Sequence, residues 1–215
     1  MKFKLGIIIL TYDLLDVLQA LLKNVFDYTS GDYIVYVVEN GQKKPTIDWL
    51  KTQNVKTILG TNISLSQSWN TGIKESLKDG CTHYALLSDD ISLEAGWWDA
   101  CKKEFESGSH LVSVTPGVEH IIYAGWFYII DKEALDKVGY MDERFHPFYF
   151  EDLDYSYRFV QSGLKYSMAD TKVPHLGSAT ILGNFQKKQL PIYVRAYRLN
   201  KVKFRHKYPH LKFKM

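Results

Sequence analysis

The sequence predicts an α/β fold, in which a mostly parallel mixed sheet is flanked by helices within a single domain. Through the first ninety residues, apolar runs of strand length alternate with apolar residues at helical spacing, an order typical of parallel sheets. The length of 215 residues suits one domain with its own core. Polar residues follow several of the strands, and this predicts a ligand site at one edge of the sheet.

The first three elements alternate as a parallel sheet requires. Lys4 to Leu10 is an apolar run of strand length. Apolar residues recur at helical spacing from Leu14 to Phe26, and Tyr33 to Val38 then forms a second predicted strand. This strand–helix–strand order predicts the first parallel crossover.

Two further strands and one helix complete the predicted first half. Val55 to Leu59 and Thr82 to Leu87 have the apolar composition of strands. Between them, Ser64 to Lys78 has the pattern of a helix, with Ser64 as its cap and Asp79-Gly80 at its end. The first half therefore predicts four strands.

The pattern changes after Asp90, where short helices alternate with apolar segments. An aromatic loop, Gly139 to Phe150, precedes a helix that Gly163 closes. The predicted segments are helices at Trp97 to Phe105, Lys132 to Val138 and Glu151 to Gln161, apolar segments at Leu111 to Val114 and Ile121 to Ile130, and a strand at Leu164 to Met168.

The composition is that of an ordinary soluble protein, with 46% hydrophobic and 24% charged residues. No apolar run is long enough to cross a bilayer, and the first run lacks the length and cleavage site of a signal peptide. Cys81 and Cys101 have neither metal-binding nor redox spacing. We expect two reduced thiols in a cytoplasmic protein.

Charge is distributed unevenly along the chain. Residues 1–170 hold 16 basic and 24 acidic residues, whereas the last 45 residues hold eleven Lys and Arg and no acid. Such a split predicts contact with something anionic: a membrane surface, a nucleic acid or a polyanionic acceptor. The alternative is a basic terminal helix that lies against an acidic body.

Polar groups follow three of the predicted strands, and neither a dinucleotide fingerprint nor a P-loop is present. The groups are Thr11-Tyr12-Asp13 after the first strand, Glu39-Asn40 after the second and Ser88-Asp89-Asp90 after the fourth. A carboxylate in the last group could hold Mg²⁺ or Mn²⁺ against a diphosphate. Alternatively, Asp89 and Asp90 form only a turn and a helix cap.

Glu151, Asp152 and Asp154 begin a predicted helix directly after the aromatic run Phe145 to Phe150. Acidic residues at this position also complement the helix dipole. An apolar wall raises the pKa of a neighbouring carboxylate, which suits a general base. His175 follows Pro174, and a lone histidine is more often structural than a ligand.

Taken in order, these segments resemble the inverting family 2 glycosyltransferases of the GT-A fold, over roughly Leu5 to Thr180. The resemblance lies in IIILTYD, VVENG, NISLSQSWNTGI, LLSDDISLEAGWW and AGWFYIIDKEALDKVGYMDERFHPFYFEDLDYSYRFVQSG. Two positions depart from the family pattern. Asp13 replaces the usual Asn, and Ser88 stands where the metal-binding DxD motif would have its first acid.

The resemblance implies one glycosyltransferase domain over residues 1–215. It has a nucleotide-sugar-binding half to about residue 95, an acceptor half from about 96 to 180, and a basic helical tail over 181–215. By this resemblance, Asp152 is the general base, with Glu151 and Asp154 as supporting or rival carboxylates. Mn²⁺ or Mg²⁺ is bound by Asp90 and His175, and the acceptor is bound by Trp126 and Tyr149. The donor is bound by Thr11, Tyr12, Asp13, Glu39, Asn40, Asn70, Asp89 and Asp90.

The implied reaction is a single in-line displacement that inverts the anomeric centre. The sugar would pass from a UDP-, dTDP- or GDP-sugar to a hydroxyl of a glycan or glycoconjugate. Two alternatives are a polyanionic acceptor, such as DNA with hydroxylated bases, and a catalytically inactive nucleotide-sugar-binding module. We expect a cytoplasmic protein, with peripheral attachment to a membrane surface as an extension of that hypothesis.

Overall fold

The computed structural model describes residues 3–117, 120–176 and 190–211. Its strands are β1 (Leu5–Thr11), β2 (Tyr33–Glu39), β3 (Lys56–Leu59), β4 (His83–Ser88), β5 (Leu111–Ser113), β6 (Phe127–Asp131) and β7 (Tyr166–Met168). Its helices are α1 (Leu15–Tyr28), α2 (Lys44–Leu50), α3 (Leu65–Lys78), α4 (Trp97–Glu106), α5 (Lys132–Val138), α6 (Glu151–Gln161) and α7 (Leu190–Lys207). Parts of the predicted tail and of the segment before it, at 177–189 and 212–215, lie outside the described residues.

The strands form one sheet in the order β3-β2-β1-β4-β6-β5-β7. The first four are parallel, β6 runs antiparallel to β4 and β5, and β7 is parallel to β5. This arrangement confirms the predicted mostly parallel mixed sheet. The chain leaves β1 toward β2 on one side and later returns to β4 on the other. A crevice therefore opens beyond the carboxyl ends of β1 and β4, where ligands bind in such sheets.

Both faces of the sheet are covered, because side chains alternate along each strand. From β1, Ile7 and Ile9 pack into a cluster with α1 and α4, whereas Ile8 packs on the opposite face with Trp69 and Ile73 of α3. In the described part of the chain, no helix is both long and apolar enough to span a membrane.

Two elements differ from the sequence prediction. Helix α2 was not predicted, although Pro45 near its start is a usual signal for a helix beginning. The apolar segment Ile121 to Ile130 is not one element. Ala124 and Phe127 are joined in a tight turn by a 3.0 Å backbone hydrogen bond, and the strand begins only at Phe127.

His83 of β4 predicts a pH-dependent contribution to stability. The ring is 2% exposed, packs against Phe3 and Phe105, and burial lowers its pKa to about 4. The folded state therefore favours the neutral ring, whereas the unfolded chain has the ordinary pKa of about 6.5. This contribution is complete above about pH 6.5 and is lost as the pH falls toward 4.

We expect His83→Phe to lose less unfolding free energy than the wild type between pH 7 and pH 4.5. Urea unfolding at several pH values measures this difference. His206→Gln changes an exposed histidine and should keep the wild-type dependence. If the unfolding free energy of His83→Phe and that of the wild type changed equally with pH, His83 would not be the source of the pH dependence.

Candidate active site

A cavity of about 680 Å³ opens at the carboxyl edge of the parallel strands. It extends from the ends of β1 and β4 to the start of α6, and most of the predicted site residues line it. Those that do are Thr11, Tyr12, Asn40, Asp89, Asp90, Trp126, Tyr149, Glu151, Asp152 and His175.

The crevice between β1 and β4 is closed at its base by a side-chain hydrogen bond. The Thr11 hydroxyl donates to Oδ2 of Asp89 at 2.7 Å. Asp89 and Asp90 are only 2% and 3% exposed. Since Thr11 ends β1 and Asp89 follows β4, this bond fixes the two strand ends against each other at the point where the strand order reverses.

Asp90 and His175 lie side by side, with 3.3 Å between Oδ1 of Asp90 and Nε2 of His175. The backbone holds them there, because Leu176 N donates to the carbonyl of Asp90 at 2.9 Å. The Trp126 ring stacks on the imidazole, with centroids 5.0 Å apart and planes 14° apart. Trp126, predicted on the acceptor side, therefore contacts the group predicted to approach a metal.

The Asp90–His175 pair offers one carboxylate and one imidazole, ligand types that Mn²⁺ accepts. Among the described residues, no group of three or more His, Cys, Asp or Glu side chains converges on a metal position. Ser88, at the place of the first acid of a DxD motif, adds no carboxylate. The pair therefore fits a divalent cation only if water and substrate phosphate complete the coordination, as is usual for Mg²⁺.

Tyr149 and Phe150 turn the chain sharply before α6. Their φ angles are 75° and 74°, in the left-handed region that non-glycine residues rarely adopt. Such conformations cost about 1–3 kcal/mol each, and they concentrate at functional sites. The turn aims the first residues of α6, Glu151 and Asp152, into the cavity.

The two carboxyl groups at the start of α6 are adjacent in sequence, and Glu151 is buried whereas Asp152 is half-buried. Oδ1 of Asp152 accepts a 2.8 Å hydrogen bond from Leu153 N, while its Oδ2 lies beside Gly125. Burial raises the pKa of Asp152, and burial together with the charge of Asp152 raises that of Glu151 well above its ordinary value. Oε2 of Glu151 has no hydrogen-bond partner among the described residues. A raised pKa makes a carboxylate a better proton acceptor, which suits a general base.

Asp154 lies outside the cavity, although it was predicted as a supporting or rival catalytic carboxylate. It is 0% exposed and forms ion pairs with Arg158, at 2.8 Å, and with Lys207. The Tyr208 hydroxyl donates to the same carboxylate at 2.8 Å. Because Asp154 faces away from the cavity on α6, these contacts connect α6 to the end of α7.

Three residues predicted at the donor do not line the cavity. Oε1 of Glu39 accepts a hydrogen bond from Gly41 N at 2.9 Å, and Asp13 pairs with Lys43 at 3.2 Å. Both side chains therefore stabilise the loops that follow β1 and β2. Asn70 uses its amide group on Met141, accepting from its N–H at 3.0 Å and donating to its carbonyl at 2.9 Å.

Among the cavity-lining residues that sequence reasoning missed are Ile192 and Tyr193, at the start of α7. The Tyr193 ring lies 5.0 Å from that of Phe148, which also lines the cavity. The only signal in the sequence was an aromatic and an aliphatic residue at the beginning of a basic helix. The terminal helix thus contributes to the cavity wall.

Neither a protein-family model nor a curated protein matches the sequence. Solved structures match the fold at 12–14% identity. They include the mannosyltransferase PcManGT from Pyrobaculum calidifontis with GDP-Man and Mn²⁺ (TM-score 0.65, 14% identity, 78% of this chain and 55% of that chain). S. aureus TarS 1-349 matches with a TM-score of 0.65 and 13% identity, over 80% of this chain and 59% of that chain. GalNAc-T7 with UDP, GalNAc and Mn²⁺ matches with a TM-score of 0.67 and 12% identity, over 80% of this chain and 44% of that chain.

These neighbours are GT-A glycosyltransferases, so the likeness confirms the predicted GT-A fold. The chain spans about half the length of the neighbours it matches.

Proposed function

We propose that the chain is a metal-assisted, inverting glycosyltransferase that moves a sugar from a nucleotide-sugar donor to a hydroxyl of a glycan or glycoconjugate. One observation carries the proposal. On a GT-A sheet, a single cavity contains the Asp90–His175 pair and the half-buried carboxyl group of Asp152. The neighbours with GDP-Man and with UDP support a nucleotide-sugar donor.

On the donor side, we propose that Thr11, Tyr12 and Asn40 contact the nucleotide, since all three line the cavity. Glu39, Asp13 and Asn70 would act indirectly, by holding the neighbouring loops and Met141 in position. Asp90 and His175 would hold Mn²⁺ or Mg²⁺, assisted by Asp89 or by water. When bound, the metal supplies electrostatic stabilisation of the departing diphosphate.

On the acceptor side, Asp152 takes the proton of the attacking hydroxyl. The acceptor oxygen forms a bond to the anomeric carbon as the bond from that carbon to the diphosphate oxygen breaks. The nucleoside diphosphate leaves with the electron pair, and the product has inverted configuration. Glu151 stays protonated beside Asp152, because its burial and the neighbouring charge of Asp152 both disfavour its ionised form. Tyr149 and Trp126 form the walls around the acceptor.

A thermal-shift screen with UDP-, dTDP- and GDP-sugars, with and without Mn²⁺, tests the donor site. A ligand that binds only the folded state raises Tm. We expect one nucleotide to give a shift that grows with Mn²⁺, because Asp90 and His175 would hold the metal in the same cavity as the donor. Asp90→Ala should abolish the increase of the thermal shift with Mn²⁺. Glu94→Ala changes an exposed residue nearby and should keep that increase. No shift with any donor would contradict the proposal.

The second candidate is an inactive nucleotide-sugar-binding module, favoured by the serine at position 88. A donor shift without hydrolysis or transfer would support this candidate over the enzyme. No observation in the described residues favours DNA as the acceptor. The division into a donor half to about residue 95 and an acceptor half from about 96 to 180 stays a prediction, as does a cytoplasmic location.

A further inference from the structure

Helix α7 carries arginines and aliphatic side chains together on its outer face. Arg195, Arg198 and Arg205 are exposed and form no ion pair with a described residue. Leu199 and Val202 are 49% and 66% exposed. Residues at spacings of three, four and seven share one side of a helix, so these five side chains form one surface. We call these five residues the α7 outer face.

The opposite side of α7 is fixed to the body of the protein. Ala196, Asn200 and Phe204 are 3%, 0% and 1% exposed. The Asn200 amide donates to the carbonyls of Phe148, at 2.9 Å, and Tyr149, at 3.1 Å. Because these contacts fix the rotation of α7, the outer face points toward solvent.

The charge of this region selects an anionic partner. No acid follows Asp170, and α7 contains six Lys and Arg residues, of which Lys207 is paired with Asp142 and Asp154. A phosphate-bearing surface complements such a helix. Leu199 and Val202 distinguish between two such surfaces. Exposed aliphatic side chains insert into the boundary between lipid headgroups and acyl chains, whereas the backbone of a nucleic acid offers them no apolar partner.

We propose that the α7 outer face docks on the surface of an anionic phospholipid bilayer. Ile192 extends the apolar surface toward the site, since it is 51% exposed and also lines the cavity. Docking through α7 would therefore hold the cavity mouth beside the lipid surface, where a lipid-carried acceptor could enter. This last step, the class of acceptor, rests on the proposed glycosyltransferase function.

Co-sedimentation of the full chain with vesicles tests the docking. We expect binding to phosphatidylcholine vesicles that contain about 30% phosphatidylglycerol, and little binding to phosphatidylcholine alone. Each basic residue near an anionic surface strengthens binding by about fivefold. Replacing Arg195, Arg198 and Arg205 by Gln together should therefore weaken binding by at least about tenfold. The matched control replaces Lys103, Lys137 and Lys172, all exposed elsewhere, by Gln and should bind like the wild type.

A second pair of variants tests the apolar part of the surface. Leu199→Ser with Val202→Ser should weaken vesicle binding by at least about fivefold, because less apolar surface enters the boundary region. Leu59→Ser with Val160→Ser removes side chains of similar exposure, 57% and 48%, from other surfaces and should not change binding.

Several outcomes would overturn the docking proposal. One is equal binding to neutral and anionic vesicles, and another is equal loss in the arginine variant and its control. If the serine pair binds like the wild type and single-stranded DNA displaces the protein from vesicles, the partner is a nucleic acid.

The nucleotide-sugar thermal shift separates the docking proposal from the proposed glycosyltransferase function. A retained shift without vesicle binding refutes the docking alone, whereas vesicle binding without any shift refutes the proposed function alone.

Discussion

Asp152→Asn is expected to lower kcat by about 100-fold or more while leaving nucleotide-sugar binding intact. The asparagine amide keeps the size of the side chain but cannot take a proton from the acceptor hydroxyl, and general-base catalysis typically contributes 10²–10⁴-fold. Oδ1 of Asp152 already accepts a hydrogen bond from Leu153 N. The oxygen that takes the proton is therefore Oδ2, beside Gly125, and the substitution removes its ability to do so. Release of the nucleoside diphosphate measures kcat, and the donor thermal shift measures binding.

The neighbouring carboxyl group provides the matched comparison. Glu151→Gln should reduce kcat less than Asp152→Asn, since Glu151 is protonated in the folded protein by our assignment. Asp136→Asn, at an exposed site, controls for the loss of one negative charge. Near-normal turnover in Asp152→Asn with a large loss in Glu151→Gln would transfer the role of base to Glu151.

Asp154→Ala is expected to destabilise the protein by about 3–5 kcal/mol. Removing one partner of a buried ion pair leaves the other charge without compensation. Here Arg158 and Lys207 would both lose a carboxylate that is 0% exposed. Urea unfolding measures the difference. Asp48→Ala breaks exposed pairs with Lys44 and Lys51, and it should cost less than about 1 kcal/mol.

The milder Asp154→Asn variant distinguishes a structural role from a catalytic one. It keeps a hydrogen-bonding side chain of the same size, so a folded protein should be obtained even if Asp154→Ala unfolds. We expect its kcat per folded molecule to stay near that of the wild type. A 100-fold loss of kcat in folded Asp154→Asn would return this residue to the catalytic group.

The order of strands and helices was predictable because local patterns determine it. β1 and β4 are mostly apolar and are buried on both faces, as parallel strands are. The polar residues after them were predicted to share one edge, and Thr11 and Asp89 do meet there. Because β1 and β4 are parallel neighbours, their carboxyl ends lie side by side. The proximity of the two polar groups can therefore be predicted without knowing any side-chain contact.

The orientation of α6 was not predictable from local patterns. Asp152 and Asp154 are two positions apart in a run of acids, and their sequence context does not say which of them faces a cavity. The left-handed turn at Tyr149 and Phe150 and the pairing of Asp154 with Lys207 decide it. The position of the Asn70 side chain was also not predictable from local patterns, since its partner Met141 is 71 residues away in the sequence.

The hydrogen bonds from Asn200 to the carbonyls of Phe148 and Tyr149 have a practical consequence for where the polypeptide can be shortened. Removing the basic tail would be a natural way to improve expression or crystallisation. A chain ending before α7 would lose the donor that holds the turn in front of Asp152, together with Phe204 of the apolar cluster beneath it. Shortened versions should therefore retain residues to at least 211.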